Sequence, residues 1–191
     1  MIIRIARVQD APVLLEIYRY YVENTAISFE ITSPTEEEFA GRIERILKKY
    51  PYLVCEDEGK IVGYAYSSVF RDREAYTHCV ENTIYLNKDC LHRGYGRALY
   101  SAHERALSMQ GISNLYACIG YPAEDNDDFI NLNSPDFHAH MGYSLVGRHN
   151  KCGRKFGRFY DIVWMEKIIE TENVEGIKPF PEIKNEFEKT L

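Results

Sequence analysis

Cysteine is scarce and unpatterned in this chain. Only Cys55, Cys79, Cys90, Cys118 and Cys152 occur, an odd number with no Cys-x-x-Cys pair, so neither a disulfide framework nor zinc-ligand spacing is present and no metal is expected. Long apolar runs are missing too. Arg4 and Arg7 interrupt the first residues before a hydrophobic stretch can develop, and no run approaches the roughly 20 residues of a membrane span. Nor is positive charge in excess: 23 Lys and Arg face 29 Asp and Glu, for a net charge of −6. The basic footprint of a nucleic-acid binder is therefore lacking. These absences make a cytoplasmic protein the expectation, with neither a membrane nor nucleic acid as partner. The glycine motifs of P-loop and Rossmann nucleotide sites are also absent.

What is present reads as a globular α/β chain. Hydrophobic residues make up 45% of 191 positions and charged residues 27%, enough to build a core. One domain is expected over residues 1–169, followed by an acidic tail over 170–191 that carries six Glu and three Lys. The tail segment from Ile177 to Ile183 has enough apolar residues to dock, and a mobile tail is the alternative.

Periodicity places the elements. Ile2 to Ala6 alternates as a strand, and Asp10 before Ala11-Pro12 has the form of an N-cap. Leu14, Ile17, Tyr18 and Tyr21 then form one helical stripe. Thr35 and Glu38 make a capping box ahead of Phe39, Ile43, Ile46, Leu47 and Tyr50. Tyr52–Glu56 and Lys60–Phe70 read as a hairpin turning at Asp57-Glu58-Gly59, with a further strand from Tyr76 to Leu86. Arg93-Gly94-Tyr95-Gly96 opens a helix whose apolar positions are Leu99, Ala102, Ala106 and Met109, closed by Gly111. Leu115–Ile119, Tyr143–Gly147 and Phe159–Lys167 are strands, and Pro135–Met141 a short helix.

The glycine turn between strand and helix is the most informative local feature. Glycines let a phosphate approach the backbone, and amides at a helix N-terminus stabilise its charge. Taken alone, the same turn equally serves to hold a helix in place. Two stretches accompany it in order: Val80-Glu81-Asn82-Thr83-Ile84-Tyr85-Leu86 before it and Ser134-Pro-Asp-Phe137-His138-Ala-His140-Met-Gly142-Tyr143 after it. Ile27-Ser28-Phe29-Glu30, Arg73-Glu-Ala75-Tyr76 and Asp161 accompany them, and the resemblance they carry runs from about residue 2 to 167.

In these motifs the chain resembles the GNAT N-acetyltransferases, specifically the branch containing phosphinothricin and methionine sulfone or sulfoximine acetyltransferases. The resemblance implies a mixed, mostly antiparallel sheet splayed between its fourth and fifth strands, with helices on both faces and acetyl-CoA as co-substrate. It implies that backbone groups of Ile84, Tyr85 and Leu86 bind the pantetheine arm. Amides from His92, Arg93, Gly94, Tyr95, Gly96 and Arg97 would take the pyrophosphate, and Asn131 and Ser134 would add cofactor contacts, with helix capping as the local alternative for Ser134. One departure is visible. In an ungapped register Leu91 stands where the family has Gln or Arg, whereas a two-residue shift makes Arg93-Gly-Tyr-Gly96-Arg-Ala98 match.

Acetyl transfer needs a neutral amine, so a site must remove the ammonium proton. Glu81 matches the family's carboxylate for this task; its bland alternative is a solvated strand-end Glu. His138 matches the position where many members carry a tyrosine that protonates the leaving thiolate, and an imidazole there could share the base's duty or simply pack. His140, two residues on, falls on another helix face, so a His-x-His metal site is not indicated. Phe29, Arg73 and Tyr76 match positions lining the acceptor pocket, where Arg can fork onto a carboxylate; core packing is the alternative for both aromatics.

Two charge clusters leave the acceptor open. Glu124, Asp125, Asp127 and Asp128 sit in an insert between Pro122 and Ser134, while Arg148, Lys151, Arg154, Lys155 and Arg158 gather in a glycine-containing hairpin. The resemblance implies acetylation of the primary amine of a small amino acid or analogue. The alternatives are a polyamine, aminoglycoside or protein amine, or an acyl-CoA sensor without turnover. The family often forms homodimers, and Phe156–Trp164 is a candidate contact.

Overall fold

The computed structural model describes residues 1–124, 126–171 and 176–191. Asp125 of the acidic insert and residues 172–175 of the tail lie outside the described residues. Seven strands and five α-helices alternate in a mixed α/β chain: β1 (Ile2–Ile5), α1 (Ala11–Asn24), α2 (Glu36–Leu47), β2 (Tyr52–Asp57), β3 (Lys60–Val69), β4 (Cys79–Leu86), α3 (Tyr95–Gln110), β5 (Asn114–Tyr121), α4 (Asn133–His140), β6 (Ser144–Lys155), β7 (Arg158–Ile168) and α5 (Phe180–Glu188). They form two compact units, one of residues 1–17, 34–115 and 168–191, the other of residues 18–33 and 116–167.

In the first unit the strand order is β1-β2-β3-β4, each pair antiparallel. Tyr52 of β2 stacks on Tyr64 and Tyr66 of β3, with ring centroids 5.7 and 5.0 Å away, and Tyr64 meets Tyr85 of β4 at 5.6 Å. Such cross-strand aromatic pairs pin the register. Helix α2 packs on β2 and β3, and α3 on β2, β3 and β4. The capping box at Thr35 is formed: its hydroxyl accepts from the Glu38 amide at 3.2 Å and the Glu38 carboxylate from the Thr35 amide at 2.9 Å. Asp10 does not cap α1. A 3-10 turn over Val8–Asp10 intervenes, and the Asp10 carboxylate turns back to the Arg7 amide at 2.7 Å and the Arg4 guanidinium at 2.8 and 2.9 Å. Similarly, Glu74–Tyr76 forms a 3-10 turn, so β4 begins at Cys79 and Tyr76 precedes it.

The second unit has the order β5-β7-β6, with β6 and β7 antiparallel. β6 runs to Lys155, well past Gly147, so Arg148, Lys151, Arg154 and Lys155 are strand residues and the hairpin loop is only Phe156-Gly157. Register shifts at Leu145/Gly147 and His149/Gly153 explain the difference. Each bulge resets the two-residue alternation by which a strand is recognised.

The tail docks in the first unit. Phe180, Ile183 and Phe187 of α5 are buried and α5 packs on α3. The connection is fastened by Gln110, whose side-chain NH2 donates to the Lys49 carbonyl at 2.9 Å and the Lys178 carbonyl at 2.7 Å, while its backbone carbonyl accepts from the Lys178 amide. Among the described residues no helix is long and apolar enough to cross a membrane. Since Phe187 is fully buried, Phe187→Ala should lower unfolding free energy by about 3–5 kcal/mol. Urea denaturation checks this, and a loss under about 1 kcal/mol would mean that α5 is not part of the cooperative fold.

Candidate active site

The first unit carries a continuous strand, turn and helix. Glu81 sits on β4 opposite Ser68 of β3, followed by Ile84, Tyr85 and Leu86 opposite Ala65, Tyr64 and Gly63. Glu81 is half-buried. Burial raises its pKa above the ordinary carboxylate value, and the positive charge of Arg71 opposes that rise. Arg71 is itself stacked 4.7 Å over the Phe70 ring and donates to the Phe70 carbonyl. Arg73 and Tyr76 are exposed in the turn that leads into β4.

Beyond Leu86 the chain reverses through His92, at φ 60°, and Gly94, at φ 85°. Gly94 is the N-cap of α3, and a side chain there would be strained although nothing lies within 4 Å of its Cβ position. The first hydrogen bond of α3 runs from Ala98 to Gly94, so the amides of Tyr95, Gly96 and Arg97 have no partner within the helix. Three unsatisfied donors and a positive helix end beside open space suit an anionic phosphate group. The Tyr95 hydroxyl donates to Asp57 at 2.6 Å, which ties this end of α3 to β2.

Behind Glu81 lies a polar cluster that periodicity passed over. Ser67 of β3 donates to the Asn82 side-chain oxygen at 2.6 Å and lies 2.7 Å from His103 Nε2 on α3, all three residues being buried. With the Ser67 proton committed to Asn82, Nε2 of His103 is the donor. Burial pushes the His103 pKa down to about 3. The available signal was a histidine four residues after Leu99, on the apolar stripe of its helix.

In the second unit His138 is 3% exposed. Its Nδ1 lies 2.8 Å from the Ser134 carbonyl, and its ring meets Phe137 and Tyr143 edge-on at 5.4 and 5.2 Å. A carbonyl only accepts, so Nδ1 carries the proton. Burial lowers the His138 pKa to about 4, against the weaker opposing effect of the Ser134 bond. The imidazole is therefore neutral near pH 7 and stores no second proton there. Ser134 lies within α4, and the N-cap position is held by Leu132. The turn into the helix is made by Asn131, whose side chain accepts from the Asn133 amide at 3.0 Å. Phe29 packs with Ala26, Ile130 and Tyr160.

Insert and hairpin meet through a cation and an aromatic pair. Arg158 bridges Asp127 and Asp128, each at 3.2 Å, and Phe129 stacks on Phe156 with centroids 4.3 Å apart. Arg148 pairs with buried Asp161 and stacks 4.5 Å over Tyr121. Among the described residues, no group of three or more His, Cys, Asp or Glu is placed to hold a metal ion.

Comparison with known proteins accounts for this arrangement. The family model "Acetyltransferase (GNAT) domain" matches residues 3–164. The chain is similar to the phosphinothricin N-acetyltransferase of Streptomyces viridochromogenes, at 30% identity over 88% of this chain and 87% of that one. It is also similar to the L-methionine sulfoximine/L-methionine sulfone acetyltransferase of Pseudomonas paraeruginosa, at 31% over 88% and 94%. Among solved structures, a phosphinothricin acetyltransferase from Sinorhizobium meliloti in complex with AcCoA superposes with a TM-score of 0.82 at 34% identity, covering 94% of this chain and 96% of that one. The chain belongs to the GNAT acetyltransferase family.

His103 and His138 give a pH dependence of stability whose sign is fixed. In the unfolded chain both imidazoles take up protons below about pH 6.5, whereas the folded values are near 3 and 4. The unfolded state thus binds more protons below pH 6.5, and stability falls as pH drops from there, by up to about 1.4 kcal/mol per pH unit for each histidine. His138→Gln should lose less stability than the wild type between about pH 6.5 and 5, as read by urea denaturation. An unchanged slope would mean that His138 protonates within the fold.

Proposed function

We propose that this enzyme transfers the acetyl group of acetyl-CoA to the primary amine of a small amino-acid-like acceptor of the phosphinothricin or methionine sulfone type. One observation carries the proposal: a half-buried carboxylate with raised proton affinity, Glu81, lies on the strand that leads into a glycine-capped helix N-terminus. An acyl-CoA sensor would need the helix end but no such carboxylate. Acetyl-CoA supplies the activated thioester carbonyl. The amides of Tyr95, Gly96 and Arg97 would hold its pyrophosphate, with Gly94 leaving room for the approach, and His92, Arg93, Asn131 and Ser134 bordering the cofactor. Backbone groups of Ile84, Tyr85 and Leu86 would line the pantetheine arm.

Glu81 accepts the ammonium proton of the acceptor, directly or through water, and its raised pKa brings it nearer the amine it deprotonates. His138, neutral at working pH, is oriented by the Nδ1–H bond to the Ser134 carbonyl and carries no second proton. Phe29 and Tyr76 shape the acceptor pocket, and Arg73 meets an acceptor carboxylate. The pairing of Arg158 with Asp127 and Asp128 removes much of the repulsion that an acidic insert would exert on an anionic acceptor. The proposal places the enzyme in the cytoplasm as a homodimer, with the Phe156–Trp164 segment, in which Phe156 and Phe159 are exposed, as the candidate contact.

The test is CoA release from acetyl-CoA by the purified protein with methionine sulfone, methionine sulfoximine, phosphinothricin, other amino acids, spermidine and an aminoglycoside. Release with the first three supports the proposal. Release only with spermidine or the aminoglycoside reassigns the acceptor, and acetyl-CoA binding without release returns the sensor. Glu81→Gln should lower turnover near neutral pH by about 10²–10⁴-fold with acetyl-CoA affinity retained; undiminished turnover removes Glu81 as base.

Arg71 tunes the same group. Its charge favours ionised Glu81, so Arg71→Gln should raise the Glu81 pKa further and move the acidic limb of the kcat/KM profile to higher pH. A limb that stays in place, or moves down, would show that another group sets it.

A further inference from the structure

The segment from Ala26 to Glu30 is gripped from several sides within the second unit. The Ala26 amide donates to the Phe129 carbonyl at 2.9 Å. The Ser28 hydroxyl pairs with the Tyr18 hydroxyl at 2.8 Å and accepts the Glu30 amide at 3.2 Å. The Ser28 carbonyl accepts from the Lys155 ammonium at 2.7 Å. Between these ties, the Phe29 ring lies against Gly153, where an added Cβ would stand 2.1 Å from the ring edge. Tyr160 flanks the same ring with centroids 6.3 Å apart.

Lys155 is the unusual member. It is 5% exposed, and an ammonium so enclosed loses much of its hydration. Burial lowers its pKa, opposed by the charge of Glu30. Its nitrogen also sits 5.2 Å from the Phe156 ring centroid. Its hydrogen bond among the described residues goes to a neutral backbone carbonyl. For stability alone, an apolar side chain of similar length would fill the space without the desolvation cost. What the cation adds is a fixed position for one carbonyl, one residue before Phe29.

We propose that Lys155 is a positioning residue for acceptor binding: by holding the Ser28 carbonyl it sets the Phe29 ring against Gly153 as a wall of the acceptor pocket. This rests on the assignment of Phe29 to that pocket made above. The hairpin then acts on specificity from behind the wall, through a residue that does not itself touch the acceptor. Gly153 and Lys155 are two positions apart on β6, one admitting the ring and the other fixing the backbone that carries it.

Two readouts test this. Hydrogen exchange needs no acceptor: Lys155→Met, which keeps an apolar stem and removes the donor, should speed exchange of the 26–30 amides, and unchanged exchange overturns the proposal. In steady-state kinetics with methionine sulfone varied at saturating acetyl-CoA, Lys155→Met should raise the acceptor KM about tenfold. The acetyl-CoA KM and kcat should stay near wild type. A loss confined to kcat, or shared by both substrates, overturns it as well. Phe29→Ala separates the two assignments. If it leaves the acceptor KM unchanged, the pocket assignment fails and takes this proposal with it; if it raises KM while Lys155→Met does not, only the role of Lys155 fails. The double variant should be no worse than Phe29→Ala alone, since both act through one ring, and additive losses contradict the proposal. Should Lys155→Met not fold, Gly153→Ala displaces the ring with the cation intact. A raised acceptor KM is again expected, and a flat one overturns the proposal.

Discussion

The Ser67 hydroxyl is the point on which the first unit's chemistry depends. By donating to Asn82 and accepting from His103 it joins β3, β4 and α3 at one buried spot. Neighbouring positions on a strand face opposite ways, so fixing Asn82 from behind fixes how Glu81 projects from the front. His103 lies on the same helix whose first amides have no partner within the helix. The Glu81 carboxylate and the glycine-capped end of α3 are thus referenced to a common internal contact. A buried hydrogen bond is directional where apolar packing is not, so it specifies the relative placement of strand and helix more narrowly.

The second unit uses charge differently. Several cations there have a specific companion: Arg158 two aspartates, Arg148 the buried Asp161 and the Tyr121 ring, Lys155 a backbone carbonyl. Insert and hairpin, which look like opposed surface clusters in one dimension, become a connected set in three. Their net field on an incoming acceptor is smaller than either cluster implies by itself.

Much of this was legible in the chain. The capping box at Thr35, the stripe of α3 and the Gly94 and Gly111 boundaries follow from local chemistry, because the interactions that make them span four residues or fewer. Glu81, the turn and His138 stand out as candidates because their order along the chain resembles that of the family's motifs. Long-range contacts left weaker marks. Nothing local announces that Ser67 will meet residues 15 and 36 positions away, or that Gln110 will hold Lys49 and Lys178. The length of β6 was hidden by its two bulges. Asp10, a good cap in isolation, was drawn backward by Arg4, a stronger charged partner for a carboxylate than a helix amide.

The tip of the β6–β7 hairpin shows where local preference yields to another demand. Both loop residues have positive φ, 48° at Phe156 and 76° at Gly157, the backbone of a turn that favours Asn-Gly. A phenylalanine at the first position is a poor turn former, yet its ring is the one that stacks on Phe129. Replacing it with the residue that turn statistics recommend would relax the hairpin and at the same time remove an anchor of the 126–131 segment, on which Ile130 rides into the cluster around Phe29. Optimising this loop for its own sake would therefore loosen a neighbouring surface, and consensus substitution is a poor guide at this position.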